Sequence, residues 1–320
     1  MTATASASDA MVSADGIEFF VRERGQGSPI VIINGLGGLA EMLGPIETLL
    51  STKARTIAVE LPGGGRSPTP RRPLSISALG KVTNVLLDKL GLEQVDVLGF
   101  SLGGIVAQQL AHEAPTRIRR LALAATACGW GSVPGSREAL ALMTMPYRFH
   151  SRTLYERTAT LLGPADRELM LRLPNLKEAR LEHPPPLLGY AYQFAAGALW
   201  SSLPWLSSVG VPTLVLAGEE DRLVPAANAV QLARLLPESR LQVIPGEGHL
   251  FVCDPESRSL PLLEDFFSSR TLARSHAWQS GTEVSDDETV EAAFDTAGGA
   301  QPQRALSDAY RRFVQRSPGA

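Results

Sequence analysis

The stretch that most restricts the fold is VDVLGFSLGGIVAQQL, residues 95–110. Val95 to Phe100 is apolar apart from Asp96, as expected of a strand covered on both faces. It passes directly into an amphipathic helical pattern. At the junction stands Gly99-Phe100-Ser101-Leu102-Gly103, a Gly-x-Ser-x-Gly turn. So tight a turn leaves no room for a side chain at either flanking position, and it lifts the serine hydroxyl above the sheet in a strained conformation. The helix N-terminus beneath it points free N–H groups toward developing negative charge. Between a buried strand and a helix, this pattern singles out Ser101 as a nucleophile.

The rest of the chain repeats the theme. Strand-length apolar runs occur at 16–23, 29–34, 55–61, 95–100, 118–125, 211–218 and 239–245, with helical patterns at 41–51, 75–90, 102–113, 225–236 and 255–270. Alternation of this kind predicts an α/β fold, a mostly parallel central sheet flanked by helices. The rhythm breaks at 129–206, where helix-like pieces rich in Met, Tyr, Leu and Trp predict a helical lid. The core of the fold is therefore expected in two parts, 12–128 and 207–270, after a disordered N-terminus at 1–11. From 271 to 320 the chain is acidic and rich in small residues, and is expected to be mostly disordered. Near its end a short amphipathic helix is expected, which would set Leu306, Tyr310, Phe313 and Val314 opposite Arg304, Asp308, Arg311 and Arg312.

A serine hydroxyl needs a base. Of five histidines, His112 lies on the helix after the turn, His150 and His183 fall in the lid, and His276 is in the tail. His249 follows a late strand in VIPGEGHLF, where a loop at the carboxyl edge of the sheet reaches Ser101. The base needs a carboxylate to hold its tautomer. VLAGEEDRLVP sets Glu219, Glu220 and Asp221 past a strand end; Asp221 is the first choice, Glu220 the second and Asp254 the third. The order Ser, Asp, His is that of Gly-x-Ser-x-Gly hydrolases. Two N–H donors are expected to hold an oxyanion, Leu102 after the nucleophile and Leu36 in NGLGG, residues 34–38.

Composition removes other classes. A net charge of −3 and a pI of about 6.0 give no electrostatic case for nucleic acid or an anionic membrane. Cys128 and Cys253 are too few for a disulfide framework or a cysteine metal site. The Gly-rich loop lacks the Gly-x-x-x-x-Gly-Lys pattern of a phosphate cradle. Neither a secretory leader nor a membrane span is read, so a cytoplasmic protein is expected, with no metal and no cofactor.

With these residues in place, the chain resembles the α/β-hydrolase superfamily over about residues 12–270. Within it, the chain is similar to the intracellular depolymerases of medium-chain-length poly(3-hydroxyalkanoate). NGLGG, LPGGGRSPTPRRP, AQQLAHEAP, LALAATACGWGSVPG, YQFAAGALWSSLPWL and PTLVLAGEEDRLVP carry the likeness. It departs at Leu102, where the depolymerases have tryptophan. The resemblance implies Ser101 as nucleophile, Asp221 as acid, His249 as base, and hydrolysis of an aliphatic 3-hydroxyacyl ester. It also implies a polyester granule surface as a partner. Met143, Tyr147, Tyr192, Phe194 and Trp200 of the lid are expected to wall the acyl chain. A triad fixes reaction class and not acyl group, so a carboxylesterase, lactonase or thioesterase stands as the alternative, and a non-catalytic hydrolase-like binding protein as the second.

Overall fold

A computed structural model describes residues 7–159 and 161–285. Eight strands form one sheet: β1 (Ala7–Ala14), β2 (Ile17–Arg24), β3 (Pro29–Ile33), β4 (Arg55–Glu60), β5 (Val95–Phe100), β6 (Ile118–Ala124), β7 (Thr213–Gly218) and β8 (Ser239–Ile244). Their spatial order is β1-β2-β4-β3-β5-β6-β7-β8. β1 with β2 and β2 with β4 are antiparallel, and the remaining pairs are parallel. This is the α/β-hydrolase fold.

Helices α1 (Gly44–Leu50), α2 (Ile76–Lys89) and α3 (Leu102–Glu113) alternate with the first strands. Between β6 and β7 run α4 (Arg137–Met143), α5 (Arg152–Ala159), α6 (Pro164–Arg172), α7 (Pro174–Glu182) and α8 (Leu187–Ala198). The chain then forms α9 (Ala227–Leu235), α10 (Ser259–Ser268) and α11 (His276–Gln279).

Why the central strands are apolar throughout is visible in the packing. Val31 and Ile33 of β3 join one cluster with Leu86 of α2, Leu110 of α3 and Val230 of α9. Ile30 and Ile32 join the opposite cluster with Ile46 of α1 and Phe266 of α10. Period-two alternation thus sends successive residues into two separate cores, and both demand apolar side chains. The neighbours β3 and β5 send their connections in opposite directions, β3 through α1 to β4 and β5 through α3 to β6. The crevice at the carboxyl ends of such strands is where α/β sheets gather their functional loops. The loops after β3, β5, β7 and β8 all open there.

Two expectations are corrected. Ala7 to Met11 are not disordered: they pair with β2 from Ala7↔Arg24 to Met11↔Phe20. A backbone ladder holds them with little apolar content, which is why composition alone misled. The core also continues past 270. Trp278 is buried and stacks on Phe266 with centroids 5.9 Å apart, and the Gln242 amide donates to the Ala277 carbonyl at 2.8 Å. Leu241 bridges to Thr282. One indole anchors an otherwise polar segment. The amphipathic stretch near 303–316 lies outside the described residues. No helix among the described residues is long and apolar enough to cross a membrane.

Candidate active site

Ser101 stands between β5 and α3 with φ 53° and ψ −119°, a left-handed conformation that is strained for a residue with a side chain. Close packing holds it there. A Cβ at Gly103 would lie 2.1 Å from the Ile33 carbonyl oxygen, and one at Gly99 would lie 2.6 Å from Gly104 Cα. The helix can therefore approach the sheet only through glycine. The Ser101 N–H donates to the Ala124 carbonyl at 2.9 Å, and the Thr126 hydroxyl donates to the Ser101 carbonyl at 2.7 Å.

The three groups singled out from the sequence meet here. His249 Nε2 is 3.2 Å from Ser101 Oγ, and His249 Nδ1 is 2.8 Å from Asp221 Oδ2. Asp221 Oδ1 accepts from the N–H groups of Leu223 and Val224, each at 2.8 Å, so its carboxylate is fixed from both ends. Both Asp221 and His249 are buried. Burial pulls the imidazole pKa down, but the Asp221 carboxylate in contact with Nδ1, aided by Asp166, outweighs it and holds His249 above its ordinary value. The reserve candidates are engaged elsewhere. His112 stacks on Trp205 at 4.1 Å, His150 Nε2 lies 3.2 Å from the Pro185 carbonyl, and Asp254 pairs with Arg172 at 2.5 Å.

The NGLGG loop presses on the serine: a Cβ at Gly35 would lie 3.2 Å from Ser101 Cβ. Asn34 braces the loop, its amide donating to the Leu39 carbonyl at 2.6 Å. Among the described residues no acceptor pairs with the N–H of Leu36 or of Leu102. Both of these residues line the space around Ser101.

Three side chains of the α4–α8 insertion belong to this site and escape sequence reasoning. Asp166 of α6 accepts from the N–H groups of His249 at 2.9 Å and Leu250 at 2.7 Å. Burial, reinforced by the neighbouring Asp221 charge, pushes its carboxyl up to about 6. Gln193 of α8 accepts from the Gly37 N–H at 2.7 Å and donates to the Pro62 carbonyl at 2.9 Å. The buried Arg180 of α7 donates to the Gly37 carbonyl. Their partners are backbone groups tens of residues away, and backbone groups carry no side-chain signature in a sequence.

Two spaces meet at Ser101. One is a chamber of about 90 Å³, lined by Phe149, Tyr155 and Tyr190 among others. The other is a larger, more open, mainly apolar cavity of about 640 Å³, lined by Ile105, Val133, Leu140, Phe194 and Val224 among others. Met143 borders both. Of the expected wall, Met143 and Phe194 are in place, whereas Tyr147, Tyr192 and Trp200 line neither space. Tyr147 is 49% exposed on the surface. Tyr192 is half-buried and turned away, because α8 presents Gln193, Phe194 and Gly197 to the cavity and the helical period carries Tyr192 off that face. Trp200 donates its indole N–H to Gln109 at 2.7 Å and meets Trp205 edge-on, packing against the main core. Among the described residues no cluster of His, Cys, Asp and Glu could hold a metal ion.

Comparison with known proteins agrees with this architecture. A family model described as the alpha/beta hydrolase fold matches residues 28–255. A poly(3-hydroxyalkanoate) depolymerase from Ectopseudomonas oleovorans is 37% identical over 241 residues, covering 75% of this chain and 84% of the relative. A pimeloyl-[acyl-carrier protein] methyl ester esterase from Nitrosomonas europaea is 30% identical over 247 residues, covering 74% and 94%. Among solved structures, an enol-lactonase from Burkholderia xenovorans superimposes with a TM-score of 0.70 at 22% identity, covering 81% of this chain and all of its own, a likeness of fold alone. On the family match and on the depolymerase likeness, the chain belongs to the α/β-hydrolase family.

Proposed function

We propose that the protein is a serine hydrolase of aliphatic 3-hydroxyacyl esters, acting on a poly(3-hydroxyalkanoate) or its oligomers. The hydrogen-bonded chain Ser101–His249–Asp221 on a strained strand-to-helix turn carries the reading. Ser101 Oγ attacks the ester carbonyl as His249 takes its proton, and Asp221 stabilises the imidazolium. The free N–H groups of Leu36 and Leu102 receive the oxyanion. His249 then protonates the leaving alcohol, and a water activated by the same imidazole releases the acid from Ser101.

The apolar 640 Å³ cavity supports an aliphatic acyl arm, and the depolymerase likeness supports a 3-hydroxyacyl one. The test is hydrolysis of p-nitrophenyl esters of graded chain length beside emulsified medium-chain and short-chain polyester. Each buried methylene adds roughly 0.8 kcal/mol, so kcat/KM rises from acetyl toward octanoyl, and the medium-chain polymer is the better of the two. A maximum at acetyl with no polymer hydrolysis refutes the reading in favour of a small-ester esterase.

A further inference from the structure

The 90 Å³ chamber beside Ser101 is lined by two cations that form no ion pair among the described residues. Arg148 and Arg180 both line it. Both guanidiniums lie against Phe149, each with Cζ 4.3 Å from the ring centroid. Arg148 Nε and Nη1 are shut from solvent with no hydrogen-bond partner, and no carboxylate among the described residues pairs with either arginine. Burial pushes the Tyr155 and Tyr190 phenols up, so they stay neutral, and the negative charge that reaches Arg180 is the more distant Glu60, itself paired with Arg66. Burial of its Nε and Nη1 edge likewise pushes Arg148 down to about 10, although the residue as a whole is half-buried.

A desolvated guanidinium edge without a partner is unfavourable, and a second cation across the same ring adds repulsion. A fold keeps such a pair where something anionic completes it. The chamber is too small for a long chain, and it opens at the nucleophile. Its natural complement is a short arm ending in a carboxylate, while the longer aliphatic arm extends into the open cavity on the other side of Ser101.

We infer that the chamber holding Arg148 and Arg180 is a carboxylate subsite, so that the preferred substrate is a 3-hydroxyacyl ester bearing a free carboxylate on its terminal unit. The inference rests on the serine-hydrolase reading and narrows it: the enzyme works at the acid end of hydroxyacid chains and on their short oligomers, not at neutral interior bonds. Arg148 and the phenol hydroxyls receive the carboxylate. Arg180, already bound to the Gly37 carbonyl, ties that recognition to the loop carrying the Leu36 N–H.

A matched pair of substrates tests it, with octanoate release followed in both: 3-(octanoyloxy)butanoate and its methyl ester, in which the carboxylate charge is capped. A charge-assisted hydrogen bond is worth about tenfold or more, so the acid exceeds its methyl ester in kcat/KM by at least about that factor. Arg148→Met collapses the ratio toward unity, and Arg148→Lys retains part of it. Calorimetric binding of 3-hydroxybutyrate against 3-hydroxybutyramide to the unsubstituted protein reads the same subsite without turnover or a variant, with the acid bound about tenfold more tightly. Equal turnover of acid and methyl ester, or equal binding of acid and amide, overturns the inference. Labelling of Ser101 by a neutral alkyl fluorophosphonate separates the two readings. A protein that is labelled and hydrolyses p-nitrophenyl octanoate, yet shows no preference for the acid, refutes the carboxylate subsite alone. One that is not labelled refutes the hydrolase reading, and the calorimetry still decides the subsite.

Discussion

Asp166→Asn replaces one buried carboxylate oxygen with an NH2 group at the point where α6 grips the His249 loop. Asp166 now accepts two backbone N–H groups, those of His249 and Leu250. The amide can accept only one, and its NH2 faces the other donor, which costs about 1–3 kcal/mol for the orphaned N–H. Against that stands the charge itself. The folded-state carboxyl titrates at about 6, raised from 3.8 by burial and by Asp221. A raised pKa contributes stability that is complete below the unfolded value of 3.8 and is lost as pH climbs through 6. At about pH 8 the fold therefore bears the ionised group at a disadvantage that Asn removes. At about pH 5, one unit below the folded pKa, roughly 1 kcal/mol of that disadvantage is gone. Asp166→Asn is thus expected to destabilise more at pH 5 than at pH 8, by about 1 kcal/mol, in urea unfolding followed by tryptophan fluorescence. The acidic limb of kcat/KM should also move to lower pH, because Asp166 is one of the charges that hold the proton on His249. A stability difference that is flat with pH, or an acidic limb that moves upward, refutes the argument.

Ser101→Ala should reduce ester turnover by on the order of 10⁶ with an unchanged circular dichroism melt, and retention of even a tenth of the activity removes the nucleophile assignment. Gly103→Ala drives a methyl group onto the Ile33 carbonyl; overpacking against backbone should cost about 1–3 kcal/mol and lower kcat, and a variant with native stability and kcat contradicts the packing argument. Trp278→Ala removes the plate over Phe266 and should cost about 3–5 kcal/mol, a fall in Tm of roughly 10 °C. Ending the chain after Arg270 should therefore aggregate the protein, whereas ending it after Ser285 should leave soluble-ester hydrolysis intact; equal behaviour of the two truncations refutes a structural role for the segment between them.

What could be read in advance divides along a physical line. The meeting of Ser101, Asp221 and His249 was legible because each follows a strand whose own hydrophobicity marks it, and because few residue types suit such a hydrogen-bonded chain. The two-sided sheet was legible in the near-continuous apolar runs of β5 and β7. Local pattern is silent on pairing at a distance. Nothing around Asp166 tells that it faces the His249 backbone, and nothing around Gln193 tells that it holds Gly37. The aromatic wall misled for a related reason. Tyr192 and Phe194 are equally apolar in a sequence, but the helical period puts only one of them at the cavity. Ala7–Met11 and Trp278 show the converse, with order imposed by a neighbouring strand or a single ring on segments of unpromising composition.

The contacts of the α4–α8 insertion bear on how interchangeable parts of this enzyme are. Asp166 holds the His249 loop, Arg180 holds Gly37 from one side, and Gln193 holds it from the other. Gly63 and Gly189 add a backbone-to-backbone seam, where a Cβ on Gly63 would come within 2.6 Å of Gly189 Cα. The insertion is thus a cast that shapes the reacting loops as well as a roof over them. Grafting onto this body the corresponding segment of another hydrolase, chosen for its substrate range, would strip His249 and Gly37 of their supports. Redesign of specificity should keep these three side chains and the glycine seam, and vary only residues such as Leu140 and Phe194 that face the open cavity.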